Sequence, residues 1–202
     1  MYVMGGDMSH NADHILSLAM ALRDFFGAGC AAELADAAPA LCAGRTLGEN
    51  EARELEYEFN RLFVGPQAVP APPFASIYLE KEPQLMGRST LEVRELYHGL
   101  GLTVPEGGAP DDFLAYELDV WARLFTLELG EESDEVRHTL REARSWLVQE
   151  HMARWVPAFV ERARAALPAA LAPADSAASP AIIMADILKS LENWLNAANA
   201  NV

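Results

Sequence analysis

The stretch Asp111–Gly130, DDFLAYELDVWARLFTLELG, decides the fold. Leu114, Leu118, Trp121 and Phe125 recur at helical spacing, so one face of a helix is apolar and must be covered. Asp111 or Asp112 is expected to cap its start, where a carboxylate suits both the free N–H groups and the helix dipole.

The same period runs outward in both directions. Upstream, Ile15, Leu18, Ala19, Leu22 and Phe26 form one stripe, which Gly27 and Gly29 end. An Ala-rich helix is expected from Ala31 toward Leu41, with Pro39 disturbing its end. Thr46 and Glu49 have capping-box spacing ahead of Leu55, Phe59, Leu62 and Phe63, and Gly65-Pro66 ends that helix. Residues 65–83 hold five prolines and read as an extended loop, with at most a short helix around Ser76 to Leu79. Ser89 and Glu92 suggest another capping box, with Leu91, Leu96, Tyr97 and Leu100 inward.

Downstream, Ser133 caps a helix with Val136, Leu140, Ala143 and Leu147 in phase. That pattern continues through His151 and Trp155 to Pro157, where it must kink or restart. Residues 168–179 read as a linker. Ser179 and Pro180 then open a last helix with Ile183, Ile187, Leu191, Trp194 and Leu195 on one face. No sustained alternating pattern predicts a strand, so the fold class is all-α, a helical bundle. TVPEGGAP, residues 103–110, is the expected hinge between an N-terminal subdomain, 1–102, and a C-terminal one, 111–202.

The chain has 202 residues, with 15 Lys and Arg against 30 Asp and Glu, a net charge of −15. That balance excludes nucleic acid and anionic membrane surfaces as natural partners. It suits a basic partner, and equally a surface that is merely well solvated. Cys30 and Cys42 are too sparse for a disulfide framework or a zinc site and read as two buried thiols of a reducing compartment. The N-terminus lacks a basic segment followed by an apolar run, and no apolar run approaches membrane-spanning length, so the expected location is the cytoplasm. Met8 is a candidate start, with the residues before it disordered. His10, Asp13 and His14 share a helical turn but read as a helix start rather than a metal site. Phosphate-loop, nucleophile-elbow, dinucleotide and zinc-protease signatures are all missing, so no residue receives a catalytic role and no cofactor or metal is expected.

Three segments resemble the TorD/DmsD family of redox-enzyme maturation chaperones. Phe59 to Tyr78, FNRLFVGPQAVPAPPFASIY, is similar to the family's aromatic, Leu-Phe, Gly-Pro, Pro-Pro-aromatic and Ser succession. Pro110 to Leu118, PDDFLAYEL, resembles its Pro-acid-Asp-His segment leading into a helix, with Phe113 where the family has histidine. Glu150 to Phe159, EHMARWVPAF, resembles its His, Trp, Pro and Phe pattern. Gln67 stands where some relatives carry an aromatic residue.

The resemblance implies a two-subdomain helical chaperone that binds the twin-arginine leader of a molybdenum-cofactor oxidoreductase, its apoprotein, or both. It would delay export until the cofactor is loaded, and would not itself be an enzyme. It also implies a monomer or a domain-swapped dimer. Weak guanine-nucleotide binding, described for some members, has no phosphate loop here to support it.

A leader with cationic and apolar parts needs carboxylates and an aromatic groove. Asp111 and Asp112 are the expected carboxylates, with Phe113 beside them. Phe59, Phe63, Phe74 and Tyr78 are the expected groove, on a loop shaped by Gly65, Pro66, Pro72, Pro73 and Ser76. The plain alternative is that these residues are scaffold. Glu117 reads as a supporting or helix-surface residue, and His151 and Trp155 as packing partners. The rival functions are a chaperone for a mature apoenzyme without such a leader and a small nucleotide-hydrolysing enzyme.

Overall fold

The structure is a computed structural model that describes residues 5–66, 68–82, 84–168 and 179–202, the side chains of 5–10 excepted. Gln67, Pro83, most of the 168–179 linker and the first four residues of the proposed N-terminal disorder lie outside the described residues. The described residues form helices and no strand. The helices are α1 (Gly5–Phe26), α2 (Ala31–Leu41), α3 (Glu49–Phe59), α4 (Ser76–Leu79), α5 (Arg88–Gly99), α6 (Leu114–Gly130), α7 (Asp134–Ser145), α8 (Ala153–Ala166) and α9 (Pro180–Ala200).

The expected stripes become the core. Leu114, Leu118, Trp121 and Phe125 of α6 are buried, and α6 packs most extensively on α1 and then on α7. Trp121 stacks on Phe125, ring centroids 4.9 Å apart, and meets Trp194 of α9 edge-on at 5.2 Å. The apolar face of α9, from Ile183 to Leu195, is buried against α1, α3 and α8. One continuous apolar core therefore takes in residues from both sides of the 103–110 segment. Burial of such faces, at about 25 cal/mol per Å² of apolar surface, is the main stabilising term.

Two helices widen to π geometry. α3 continues through Asn60–Val64 and α7 through Trp146–Met152 before α8 begins. The first wide turn buries both Leu62 and Phe63, and Gly65, at a φ of 115°, ends it. The second gives the restart expected upstream of Pro157. α8 begins at Ala153, whose carbonyl Pro157 cannot bond for lack of an N–H.

The helix starts differ from the sequence expectations in three places. Phe113, not Asp111 or Asp112, is the N-cap residue of α6, because both aspartates turn inward. α3 starts after Gly48, whose N–H is bonded by Glu51 at 2.8 Å, rather than after Thr46. α5 starts after Gly87, so Ser89 lies inside the helix. Its N–H and hydroxyl donate to Glu80 at 2.9 and 3.0 Å, a partner nine residues upstream that no local box predicts. Ser133 caps α7 as expected, accepting from the Val136 N–H at 3.4 Å, and Ser179 is the N-cap residue of α9 with Pro180 in its first turn, though its side chain makes no capping bond. Leu91 and Val136 are exposed rather than inward, and Val93 takes the inner position on α5. Cys30 is exposed just before α2, while Cys42 is buried, which pushes its thiol up to about 11.

Candidate functional site

The proline-rich loop is fastened to the chain by backbone bonds. Ala71 N–H donates to Leu62 O at 3.0 Å, Leu114 N–H to Pro73 O at 3.0 Å, and Ala75 N–H to Asp112 O at 3.1 Å. The last two make a single antiparallel bridge between Phe74 and Phe113. The fixed φ of Pro72 and Pro73 suits this extended run, and Pro73 is buried while Pro72 is half-buried. Pro66 is exposed and Gly65 half-buried at the loop's entry.

Asp112 is fully buried beneath the bridge. Its Oδ2 accepts the Ser76 N–H at 2.7 Å, tying α4 to the start of α6, while its Oδ1 and the Ser76 hydroxyl have no partner. Asp111 is also buried, and Arg94 of α5 donates to its Oδ2 from Nε at 2.9 Å and Nη2 at 2.6 Å. The two carboxylates expected to face an incoming guanidinium are thus already engaged by the chain's own donors.

The aromatic residues divide into two groups. Phe59 and Phe63 lie in the core with Phe25, Phe26 and Phe159, at ring distances of 5.3 to 5.7 Å. Phe74 and Phe113 are half-exposed, 5.3 Å apart, and Phe113 meets Tyr116 edge-on at 5.3 Å. Those three rings form a continuous aromatic surface at the loop–α6 junction. Tyr78 lies deeper and stacks on Trp155 at 5.8 Å, with the Arg162 guanidinium 5.9 Å from its ring.

Glu117, one turn into α6, is wholly buried rather than on the helix surface. Its Oε1 is 2.7 Å from His151 Nε2, and its Oε2 accepts the Trp155 indole N–H at 3.2 Å. Burial pushes the Glu117 carboxyl above its ordinary range, and the charge and hydrogen bond of His151 only partly counter this. Burial works against the charged form of His151, but the Glu117 carboxylate outweighs it and holds the imidazole above its usual value. His151 stacks on Trp146 at 5.7 Å, and its Nδ1 has no partner. The Glu–His–Trp arrangement locks α6 to α8 and offers no open face to a substrate.

A cleft of about 770 Å³ opens beside this junction, between the end of α1, α2, α6 and the 102–105 segment. Leu102, Val104 and Pro105 make one wall, Phe113, Tyr116 and Val120 another. Tyr97 of α5, 1 % exposed, also lines it. Burial, and after it the nearby carboxylates led by Glu117, raise the Tyr97 hydroxyl well above its ordinary range. Of the residues that the sequence singles out, Phe113 alone lines both the bridge and the cleft. Arg23, Asp36, Tyr97 and Asp119 come from four separate helices, and no local motif marks them. Among the described residues, no group of three His, Cys, Asp or Glu side chains is placed to hold a metal ion, and no helix is long and apolar enough to cross a membrane.

Comparison with known proteins gives these features a family. The family model described as nitrate reductase delta subunit matches residues 26–161, about two thirds of the chain. The chaperone protein TorD of Vibrio cholerae serotype O1 is 31 % identical over 115 residues, covering 54 % of this chain and 50 % of that protein. The Tat proofreading chaperone DmsD of Salmonella typhi is 30 % identical over 108 residues, covering 53 % and 48 %. TorD of Photobacterium profundum is 29 % identical over 118 residues, covering 58 % and 55 %. The chain spans about half the length of the curated relatives it matches. Matched over most of its helices by the nitrate reductase delta subunit model, and over half its length by chaperones of both kinds, the chain belongs to the TorD/DmsD family.

Proposed function

We propose that the chain is a chaperone of the assembly of a molybdenum-cofactor oxidoreductase, working in the cytoplasm by binding rather than by catalysis. Its client is the catalytic subunit, held through a twin-arginine leader, through the folded-incomplete apoprotein, or through both, until the cofactor is in place. The observation that carries the reading is the loop–α6 junction. There the family's Pro-Pro and acid-Asp segments meet in one bridge and present Phe74, Phe113 and Tyr116 as an aromatic surface.

In this reading the client touches Phe74 and Phe113, and Pro66, Pro72 and Tyr78 are proposed as further contacts along the loop. Asp111 and Asp112 serve by fixing that surface through Arg94 and Ser76. Gly65, Pro73 and Ser76 set the loop's course, Phe59 and Phe63 anchor it from the core, and Glu117, His151 and Trp155 hold α6 beneath it. A surface held in place before binding loses less entropy when a client docks.

Co-purification with the apoprotein of a molybdenum-cofactor oxidoreductase that carries a twin-arginine leader tests the proposal, using full-length and leader-less versions. Retention of the full-length apoprotein alone supports leader binding. Equal retention of both supports the rival in which the mature apoenzyme is the ligand. Retention of neither overturns the chaperone reading, and nucleotide turnover by the purified chain would favour the enzyme rival.

A further inference from the structure

We propose that α5, with the loops at its two ends, is a cover that opens from the bundle as one unit and carries away one wall of the cleft beside the candidate site. α5 is held on by little hydrocarbon. Its fully buried apolar side chains are Val93 and Tyr97, with Leu96 half-buried, whereas α9 buries eight along its face. The rest of the inner face of α5 is polar. Ser89 and Thr90 are buried, and the Thr90 and Tyr97 hydroxyls have no partner among the described residues. Burying a hydroxyl without a hydrogen bond costs free energy that contact with water returns, so these two groups weigh against the closed form. Two polar pins supply the rest of the hold. Glu80 accepts the Ser89 N–H and hydroxyl at 2.9 and 3.0 Å, and Arg94 donates twice to Asp111 at 2.6 and 2.9 Å. Glu80 and Arg94 are only half-buried, so water competes at each pin.

The chain on either side of α5 can turn. Residues 84–86 are exposed, and Met86 sits at a φ of 63°, in the left-handed region that a residue other than glycine adopts at a cost. Beyond α5, Gly101 stands at a φ of 70° and residues 105–108 are exposed. Both loops lie where the backbone rearranges without disturbing the bundle core. The moving part bears on the site. Tyr97, Leu102, Val104 and Pro105 line the cleft, as do Phe113, Tyr116 and Val120 on the α6 side. Opening takes the first four away and leaves the aromatic side fixed, so the cleft of about 770 Å³ becomes a groove open along one side. It also parts Arg94 from Asp111. This motion is independent of the chaperone reading.

Native-state hydrogen exchange on the full chain, followed residue by residue by NMR, tests the cover. Amides 92–97 of α5 should exchange on the order of a hundredfold faster than the slowest amides of α6 and α9. Low urea should speed them less, because a local opening exposes less surface than global unfolding. Two variants separate the local event from the global one. Ile187→Val removes one buried methylene from α9 and should speed exchange in α6 and α9 about fivefold while leaving α5 unchanged, since the open form keeps that contact. Arg94→Met breaks a pin that only the closed form has and should speed exchange in α5 about tenfold. If the α5 amides match those of α6 and α9 in rate and urea dependence, or respond to Ile187→Val as α9 does, α5 leaves only when the whole bundle unfolds and the cover is overturned. An α5 rate unmoved by Arg94→Met overturns it as well.

Discussion

Replacing His151 and Glu117 by leucine, singly and together, gives a sharp test of the buried network. His151→Leu strips Glu117 of the imidazole 2.7 Å away and leaves a wholly buried carboxylate with only the Trp155 N–H. Breaking a buried ion pair from one side typically costs about 3–5 kcal/mol. Glu117 can escape part of this by taking up a proton, since burial already raises its carboxyl, so the loss should fall near 3 kcal/mol. Glu117→Leu strands His151 Nε2 and the Trp155 N–H, two neutral groups at about 1–3 kcal/mol each. The double variant strands only the indole N–H and should lose about 1–2 kcal/mol, less than either single change.

The same pair sets a pH dependence. His151 is held above its ordinary 6.5, so the folded chain keeps that proton more tightly than the unfolded one. The resulting stabilisation is complete below pH 6.5 and is lost as pH climbs through the raised value. Glu117 is raised above its ordinary 4.5 and acts with the same sign over a lower window. The wild-type chain should therefore lose stability relative to the double variant as pH rises from about 4.5 to beyond 6.5. Urea unfolding followed by circular dichroism, repeated across that range, measures both effects. A double variant destabilised by the sum of the singles to within ~0.5 kcal/mol would refute the coupling.

Three further outcomes follow from the geometry. Asp112→Asn keeps an acceptor for the Ser76 N–H and should cost about 1 kcal/mol, whereas Asp112→Ala strands that donor and should cost about 1–3 kcal/mol; equal unfolding midpoints for the two would show that the bond does not hold the loop. Gly87→Ala places a methyl 2.5 Å from the Glu80 side chain and should push it off Ser89, with a cap-sized loss of about 0.5–2 kcal/mol; Glu80→Gln added to it should then change little. Limited proteolysis should cut 103–110, where Thr103 and Pro105 to Gly108 are exposed, before it cuts α6; first cleavage within α6 would contradict its place in the core.

The helices were legible because apolar periodicity is a local signal that burial enforces. The stripes at Leu114 to Phe125 and Ile183 to Leu195 are buried as their spacing requires, and α4 occupies the residues that the proline pattern left free. Caps were less legible. Ser89 and Glu92 have the right spacing, yet Glu80 arrives from outside the window and moves the start to Gly87. The candidate site divides the same way. The loop–α6 junction is written in contiguous motifs, but the inward turn of Asp111 and Asp112 is not, because adjacent acids on a connector read as solvated. Their partners, Arg94 and Ser76, lie 17 and 36 residues away. The cleft has no sequence signature, since Asp36, Tyr97 and Asp119 meet only through tertiary packing.

The bridge at Phe74 and Phe113 separates two inheritances. Its bonds run from main chain to main chain, Leu114 to Pro73 and Ala75 to Asp112, so the path of the loop does not depend on which rings stand at those two positions. The side chains there can drift while the frame stays put, provided that they still meet each other. Phe113 is held there by Phe74 on one side and Tyr116 on the other. If those rings are the client surface, as proposed, exchanging that one pair retunes the protein to a new client, with no need to reinvent the bundle that carries them.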